Sequence, residues 1–562
     1  MHTGTAAPPV YEDTAMTDSP VSRRDLLGAG TTLATLATLA ATGCATGGTA
    51  ASAAESRRNP AAAPRPPFDT LREYVAALDA NGLLLRIPEV DQDAYELTGL
   101  VYRANDRYGF EGVPAILVER VKINGRWVEG PLLSLLQANL QSDAIVFGEP
   151  LDPEDHKAGY RRAKARLAGS LRQNGGRFPE IAPVTVPREQ ALCKEVVLRG
   201  EDIDLTRFAF IQTNPKDGGR YVNATSVFTQ DPVLGSNFGT YRCQLKGPRW
   251  LGLNPEENQA GWKALMAAKA RGEKFARVSI ALGQDPIVWL ISCSRVVPRF
   301  GDKPIDELAV AGGLRGKALE LVKSETSDLL VPAHAEMIIE GEVPLQEPGQ
   351  PEGPFGEMFG YLGAGKKENF FVNVTCVTHR RDPWFVNMYT GLQRGMVTAP
   401  SDAMADHLLR QAVPSVVESY LHQDNMGIYY VSIDKTGPGQ GIQAGMNIAK
   451  FVPIAKVVVV VDKDIDVLDK NQVLFALGSR WQSLKAIKTL ENQRGLITDP
   501  SLPEIRKTDK IIIDATRQLP EEGGRLPFPS TNRALLEEAM PDVFAAVDRR
   551  FGPALRAWES QS

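Results

Sequence analysis

The residues of this chain whose types and spacing could do acid–base chemistry lie in Pro351-Glu352-Gly353-Pro354-Phe355-Gly356-Glu357-Met358-Phe359-Gly360-Tyr361. Two glutamates stand five apart, with proline and glycine between them. Those residues disfavour a helix, so both carboxylates are expected to project from an irregular loop. A loop with fixed bends suits an acid and its partner; a solvated turn is the plain alternative. A second stretch, Ser236-Asn237-Phe238-Gly239-Thr240-Tyr241-Arg242, follows the turn Asp231-Pro232-Val233-Leu234-Gly235 and, taken alone, reads as an ordinary hairpin strand. Its arginine is of the kind that forks onto a planar carboxylate. His2, His156, His334, His379, His407 and His422 are scattered without metal-ligand spacing, and Cys193, Cys243, Cys293 and Cys376 read as small core residues. A nucleophilic Cys–His pair is the minor reading of these residues.

The elements that must position these groups belong to a mixed α and β protein. The chain has 562 residues, 43% apolar and 23% charged, with 63 Lys plus Arg against 68 Asp plus Glu and a net charge of −5. That balance excludes disorder, collagen and coiled coil as the bulk state, and it gives no field that would steer a nucleic acid. Five cysteines cannot form a disulfide framework in so long a chain. Helical spacing runs over residues 70–78, Gly82 caps it, and strands follow at 83–87 and 115–118. Between 196 and 384 short strand-like segments dominate, among them 226–229, 278–281 and 370–374, which suggests a barrel or curled sheet. A helix is expected over 404–420. The five valines within 456–461 read as a buried parallel strand, and 510–514 as another, flanked by helices near 473–477 and 533–544. The last third is therefore expected to be a layered α/β domain.

The first sixty residues read as targeting rather than fold. Ser22-Arg23-Arg24-Asp25-Leu26-Leu27 is a twin-arginine pattern, and an apolar run rich in Ala, Leu, Thr and Gly follows it to about Ala45. The run is short and mild, so it reads as an export signal rather than a spanning helix. Met16 is the start that would bring the arginine pair close to the amino terminus. Cys44 in Ala41-Thr42-Gly43-Cys44 loosely resembles a lipobox, which leaves a lipid anchor at Cys44 open. Residues 45–67, rich in Ala, Gly, Pro and Ser, read as a linker. Export by the twin-arginine route implies folding before transport, often around a cofactor, and a periplasmic or cell-envelope location.

Together the two chemical stretches resemble the UbiD family of decarboxylases, which use prenylated flavin mononucleotide. The resemblance extends over about 68–553 and is carried by the Pro-Glu-Gly-Pro-Phe-Gly-Glu loop, by the spacing of Asn237 and Arg242, and by Glu307 ahead of Leu319-Glu320-Leu321-Val322-Lys323. It implies an α+β multidomain fold: signal and linker over 1–67, an N-terminal α/β domain over 68–190, a flavin-binding split β-barrel over 191–395, and a C-terminal α/β domain over 396–562 that forms a homodimer or homohexamer. It implies Arg242, Glu352 and Glu357 as catalytic residues, with Glu357 the proton donor and Arg242 binding the substrate carboxylate while paired with Glu352. The cofactor side comprises Asn237, Gly239, Thr240, Tyr241, Arg242, Gln259, Ser294, Arg295 and Glu307. The flavin phosphate would be held through a divalent ion, usually Mn2+, often with K+ nearby, on Asn237, Glu307 and a third ligand. That third ligand is usually a histidine; none lies in 251–262, and Gln259 stands at or beside its place.

The resemblance implies a reversible, non-oxidative carboxy-lyase acting on an aromatic or α,β-unsaturated carboxylic acid, with a flavin prenyltransferase as cofactor supplier. Alternatives are an exported flavin-binding protein of the family without decarboxylation, and a solute-binding lipoprotein. Residues 396–402 are expected in the pocket wall. They hold no histidine, which tilts away from those phenolic-acid members that place one there.

Overall fold

The computed structural model describes residues 63–257, 259–294, 296, 306–395, 397–503 and 506–559. The twin-arginine segment, Cys44, Met396 and Arg295 lie outside the described residues.

The first described helix, Leu71–Ala80, starts where Thr70 and Glu73 cap each other's backbone. Its apolar face closes on a sheet in which Leu84–Asp91 and Ala115–Ile123 run parallel and Leu132–Ser134 antiparallel. The far neighbour of Leu132–Ser134 is Phe385–Val386, which comes from the end of the expected barrel segment yet completes this sheet.

Among the described residues the central sheet has ten strands and is antiparallel throughout its pairings. Its path runs from Tyr221–Val222 through Arg242–Gly247, Trp250–Asn254, Lys366–His379, Met337–Pro344, Phe275–Leu282 and Thr225–Asp231 to Gly235–Gly239. Gly235–Gly239 ends that path, while Arg242–Gly247 stands next to its other end. The chain nevertheless joins them through Thr240 and Tyr241 alone, a span of about 10 Å at most. Two strands at opposite ends of a sheet can be that close only if the sheet curls back on itself, so the expected split barrel is present. Its interior is filled by Val227, Tyr241, Cys243, Leu251, Ile280 and Ile339, all buried. Ser236-to-Arg242 is therefore not one hairpin strand: it crosses the barrel seam, with Asn237 on one lip and Arg242 on the other.

The carboxy-terminal sheet orders Val416–Tyr420, Ile428–Ile433, Val457–Asp462, Lys507–Asp514 and Ile487–Arg494. The valine strand pairs in parallel on both sides, as its unbroken apolar run requires. The helix expected over 404–420 is instead Ala399–Ala412 followed by the strand Val416–Tyr420. Pro414 explains the break, since it cannot extend the helix and steers the preceding residue away from helical geometry. Likewise 533–544 is not one helix. Asn532–Ala539 ends before Pro541, and Val543–Glu559 begins anew.

Candidate active site

Arg242 opens its strand at the seam, and its guanidinium forks onto Glu352. Nε donates to Oε1 at 2.9 Å and Nη2 to Oε2 at 2.8 Å. Nη1 donates to Glu357 Oε1 at 2.6 Å. The three residues predicted to act together are thus in contact, although 110 and 115 positions separate the partners. Glu352 closes the strand Gln350–Glu352 and lies opposite Lys366, so its carboxylate projects from sheet rather than from irregular loop. Glu357 does sit on a turn, the tip of a small hairpin between Phe355–Gly356 and Leu362–Gly363, closed by Glu357 N–H to Tyr361 C=O at 2.8 Å.

Several residues hold this arrangement that the sequence reading did not single out. Gln244 accepts from Gly353 N–H at 3.1 Å and donates to the Gly218 carbonyl at 2.6 Å. A Cβ at Gly218 would lie 2.2 Å from the Gly353 carbonyl oxygen, so this approach needs glycine. Buried Asp217 accepts from Gly356 N–H at 3.0 Å. The Phe355 ring lies 5.1 Å below the Arg242 guanidinium and packs on Tyr221. A second ion pair flanks the first: Lys366 donates to Glu256 at 2.8 Å and to Asn254 at 2.6 Å, and Asn254 is the register partner of Arg242. For Lys366 and Glu256 the available signal is charge at the ends of apolar strands, which also marks ordinary solvated edges; Gln244, Gly218 and Asn254 carry no such signal.

Electrostatics differ across the cluster. Burial raises the Glu357 carboxyl above its usual range, Arg242 works against that rise, and the negative charges of Glu256 and Glu352 add to it. Burial disfavours the charged Arg242, but its hydrogen bonds and proximity to Glu352 and Glu357 leave it firmly cationic. Burial also acts on Glu256, yet Lys366 holds it below the usual carboxylate range.

The other end of the site is less assembled. Asn237 and Glu307 line one cavity of about 410 Å3. Asn237 has a buried amide nitrogen without a hydrogen-bond partner, and Ser294 has a buried hydroxyl in the same condition. Tyr241 lies between these groups: its hydroxyl accepts from Gly261 N–H at 3.0 Å; burial raises its pKa, and the charge of Glu307 adds to the rise. Thr240 is pinned to the end of the Pro286–Cys293 helix, 2.9 Å from the Ser292 hydroxyl and 3.1 Å from the Cys293 sulfur. A Cβ at Gly239 would strike the Tyr241 hydroxyl at 2.7 Å. Gln259 is not brought to this cavity. It is exposed before the Ala260–Ala270 helix, its amide oxygen accepting from Glu256 N–H at 2.7 Å. Among the described residues no group of three His, Cys, Asp or Glu side chains could hold a metal. The oxygens of Asn237 and Glu307, with the unsatisfied amide between strand and helix, fit a hard cation bound to a phosphate better than a soft metal.

Among the described residues the histidines and cysteines show structural contacts. His422 lies 3.1 Å from Glu111, and His334 2.7 Å from Glu320. Burial pushes the Cys193 thiol up to about 12 and Cys376 to about 11, which disfavours thiolates.

Comparison with known proteins agrees with the geometry. Residues 184–393 match the 3-octaprenyl-4-hydroxybenzoate carboxy-lyase Rift-related domain of UbiD, and residues 395–515 match the corresponding C-terminal domain. The chain is 31% identical over 482 residues to the uncharacterized protein sll0936 of Synechocystis, covering 80% of this chain and 90% of that one. It is 27% identical over 472 residues to a phenolic acid decarboxylase of Sedimentibacter hydroxybenzoicus, covering 81% and 93%. An evolved dimeric form of the UbiD-class enzyme HmfF from Pelotomaculum thermopropionicum, solved in complex with prFMN, superposes with a TM-score of 0.68 at 28% identity, covering 83% of this chain and 97% of that one. With a split barrel whose seam carries the Arg242–Glu352–Glu357 contacts, and with this similarity over most of its length, the chain belongs to the UbiD family of carboxy-lyases.

Proposed function

We propose that the protein is a prenylated-FMN-dependent decarboxylase that acts reversibly, without net oxidation, on an aromatic or α,β-unsaturated carboxylic acid. The carrying observation is the contact of Arg242 with both Glu352 and Glu357 at the barrel seam. An arginine has five N–H donors, and three are committed here, two to Glu352 and one to Glu357. The remaining two can take a substrate carboxylate without breaking the network. Glu352 fixes the guanidinium plane and cancels its charge. Glu357, kept protonated by burial and by the incoming carboxylate, gives its proton to the carbon that loses carbon dioxide. Bound prenylated FMN supplies the electron sink this chemistry needs.

At the phosphate end Asn237 and Glu307 would hold a divalent ion, expected to be Mn2+ with K+ nearby, next to Gly239, Thr240, Tyr241, Ser294 and Arg295. Gln259 would have to turn from Glu256 N–H to serve as third ligand. A flavin prenyltransferase supplies the cofactor.

The proposal extends to assembly and location. The helices Asn532–Ala539 and Val543–Glu559 expose Leu535, Leu536, Phe551, Leu555 and Trp558, a stripe that supports assembly into a homodimer or homohexamer. The Arg23-Arg24 pair supports twin-arginine export to the periplasm or cell envelope, with Cys44 a candidate lipid anchor. No helix among the described residues is long and apolar enough to cross a membrane. Replacing both arginines by lysine should retain the protein in the cytoplasm; unchanged export would refute that reading.

The decisive experiment co-expresses the chain with a flavin prenyltransferase, records the bound-flavin spectrum and screens carboxylic acids for carbon dioxide release. Flavin without release from a broad panel would favour a family member that binds cofactor but does not decarboxylate. No bound flavin would refute both.

A further inference from the structure

A cavity of about 210 Å3 adjoins the hairpin that carries Glu357. It is walled by Thr98 and Tyr102 of the helix Glu96–Tyr108, by the loop containing Thr213, and by Tyr389 and Thr390, with Glu357 in its lining. Among the described lining residues Glu357 is the only carboxylic acid, and there is no His, Lys, Arg or Cys. The other polar side chains are hydroxyls, phenols and one amide. Tyr102 and Tyr361 stand 48% and 64% exposed, so the cavity reaches the surface. The Tyr389 hydroxyl is buried, with Thr98 Oγ1 at 3.4 Å, and that hydroxyl donates to the Thr213 carbonyl at 2.9 Å. Both groups retain hydrogen-bonding capacity. At about 30 Å3 per molecule the space takes about seven waters, and its wall carries three threonine hydroxyls, three phenols and the Asn214 amide.

We propose that this cavity is the route by which Glu357 exchanges its proton with solvent. The proposal rests on Glu357 being the proton donor. After the acid has protonated carbon it is a carboxylate beside Arg242, and it must recover one proton before the next turnover. A chain of waters and hydroxyls passes that proton inward from bulk: a hydronium protonates the carboxylate, one O–H bond forms as another breaks, and the chain ends with its own protons restored. Among the described residues no second carboxylic acid, amine or imidazole lines the cavity, so the path to Glu357 runs over hydroxyls and waters; buried Asp217 stands behind the wall, held by Thr213 Oγ1 at 2.8 Å and Gly356 N–H at 3.0 Å. A backbone constraint keeps the wall in register. Gly391 has φ of +82°, and a Cβ there would strike the Glu357 carbonyl oxygen at 2.6 Å and Gly360 N at 2.7 Å.

The test plugs the cavity from its half-buried residue Thr390. The protonated carboxyl band of Glu357 is identified in flavin-free protein, at a pH low enough that the carboxyl holds its proton, by infrared difference against Glu357→Gln, and its shift on transfer into D2O is timed. Thr390→Phe, and Thr390→Leu if the larger residue prevents folding, should slow that exchange about tenfold or more, less than the roughly 10²–10⁴-fold that a positioned acid or base itself contributes. Thr390→Ser should leave it unchanged. In cofactor-loaded enzyme the plugged variants should keep substrate KM and show a larger solvent isotope effect on kcat. Exchange at the wild-type rate in plugged protein would overturn the proposal. A raised KM with unchanged exchange would overturn it too, and assign the cavity to substrate. Since the infrared measurement needs no turnover, an absence of decarboxylation would count against the functional reading and not against the route.

Discussion

The two ends of the site differ in how complete they are without a ligand. At the arginine end three side chains from distant segments meet at 2.6–2.9 Å, each fixed by strand register or a closed hairpin. At the oxygen-donor end Asn237 and Glu307 share a cavity while Gln259 turns away to a backbone N–H. The arginine end contains its own counter-charges, so opposite signs assemble it. At the donor end the oxygens of Asn237 and Glu307 suit a cation, which would gather them when it binds. The arginine-end geometry is therefore set by the fold itself, whereas the donor end would be completed by what it binds.

The comparison is broken most severely at Glu357. Glu357→Gln keeps shape and hydrogen-bonding capacity but cannot supply the proton. Turnover and solvent-hydrogen exchange into product should fall on the order of 10²–10⁴-fold, with flavin occupancy unchanged. Activity within about threefold of wild type, far inside that expected loss, would return the glutamates to a solvated loop.

Arg242→Ala tests whether the arginine end is intrinsic. Glu352 is 1% exposed and would be left as a buried carboxylate without its cation. Removing one partner of such a pair costs about 3–5 kcal/mol, so flavin-free protein should unfold at clearly lower denaturant. Glu307→Ala should do the reverse. Glu307 is only half-buried, so stability without flavin should fall less than in Arg242→Ala, while flavin and divalent-metal retention should drop about tenfold or more, the scale on which metal-site residues act. Equal stability losses in the two variants would erase the distinction drawn between the two ends.

What the sequence made legible follows the same division. The roles proposed for Arg242, Glu352 and Glu357 come from a motif, and their meeting was not readable from spacing. It needs the registers Arg242 with Asn254 and Glu352 with Lys366, which only the curled sheet sets. Lys366 and Glu256 were missed for that reason: a charged residue at a strand end looks the same whether it faces water or a guanidinium. The valine strand was legible because a parallel central strand tolerates no polar residue on either face. The helix over 404–420 was misread although Pro414 marked its limit, because the apolar residues of Val416–Tyr420 continued the helical spacing by chance. At the donor end the usual third ligand is absent from the sequence, and geometry does not promote Gln259 in its place.

The smallest expected effect sharpens the comparison by asking how far the flanking ion pair reaches. Glu256 adds to the rise of the Glu357 carboxyl, behind burial and against the opposing pull of Arg242. Glu256→Gln removes a negative charge near Glu357, which favours its ionised form and lowers its pKa. The same substitution leaves Lys366 without its carboxylate, and a less neutralised cation pushes Glu357 in the same direction. The two changes add rather than cancel. The proton-donating form of Glu357 is lost as pH rises through its pKa, so the alkaline limb of the kcat profile should move to lower pH. The displacement should be below about one pH unit, since one unit already corresponds to about 1.4 kcal/mol between partly solvated groups. The Arg242 contacts with Glu352 and Glu357 do not pass through Glu256, so the plateau rate at low pH should stay at the wild-type value. A limb that moves upward, or a lowered plateau with no movement, would mean that Glu256 positions Glu357 by contact rather than tuning it by charge.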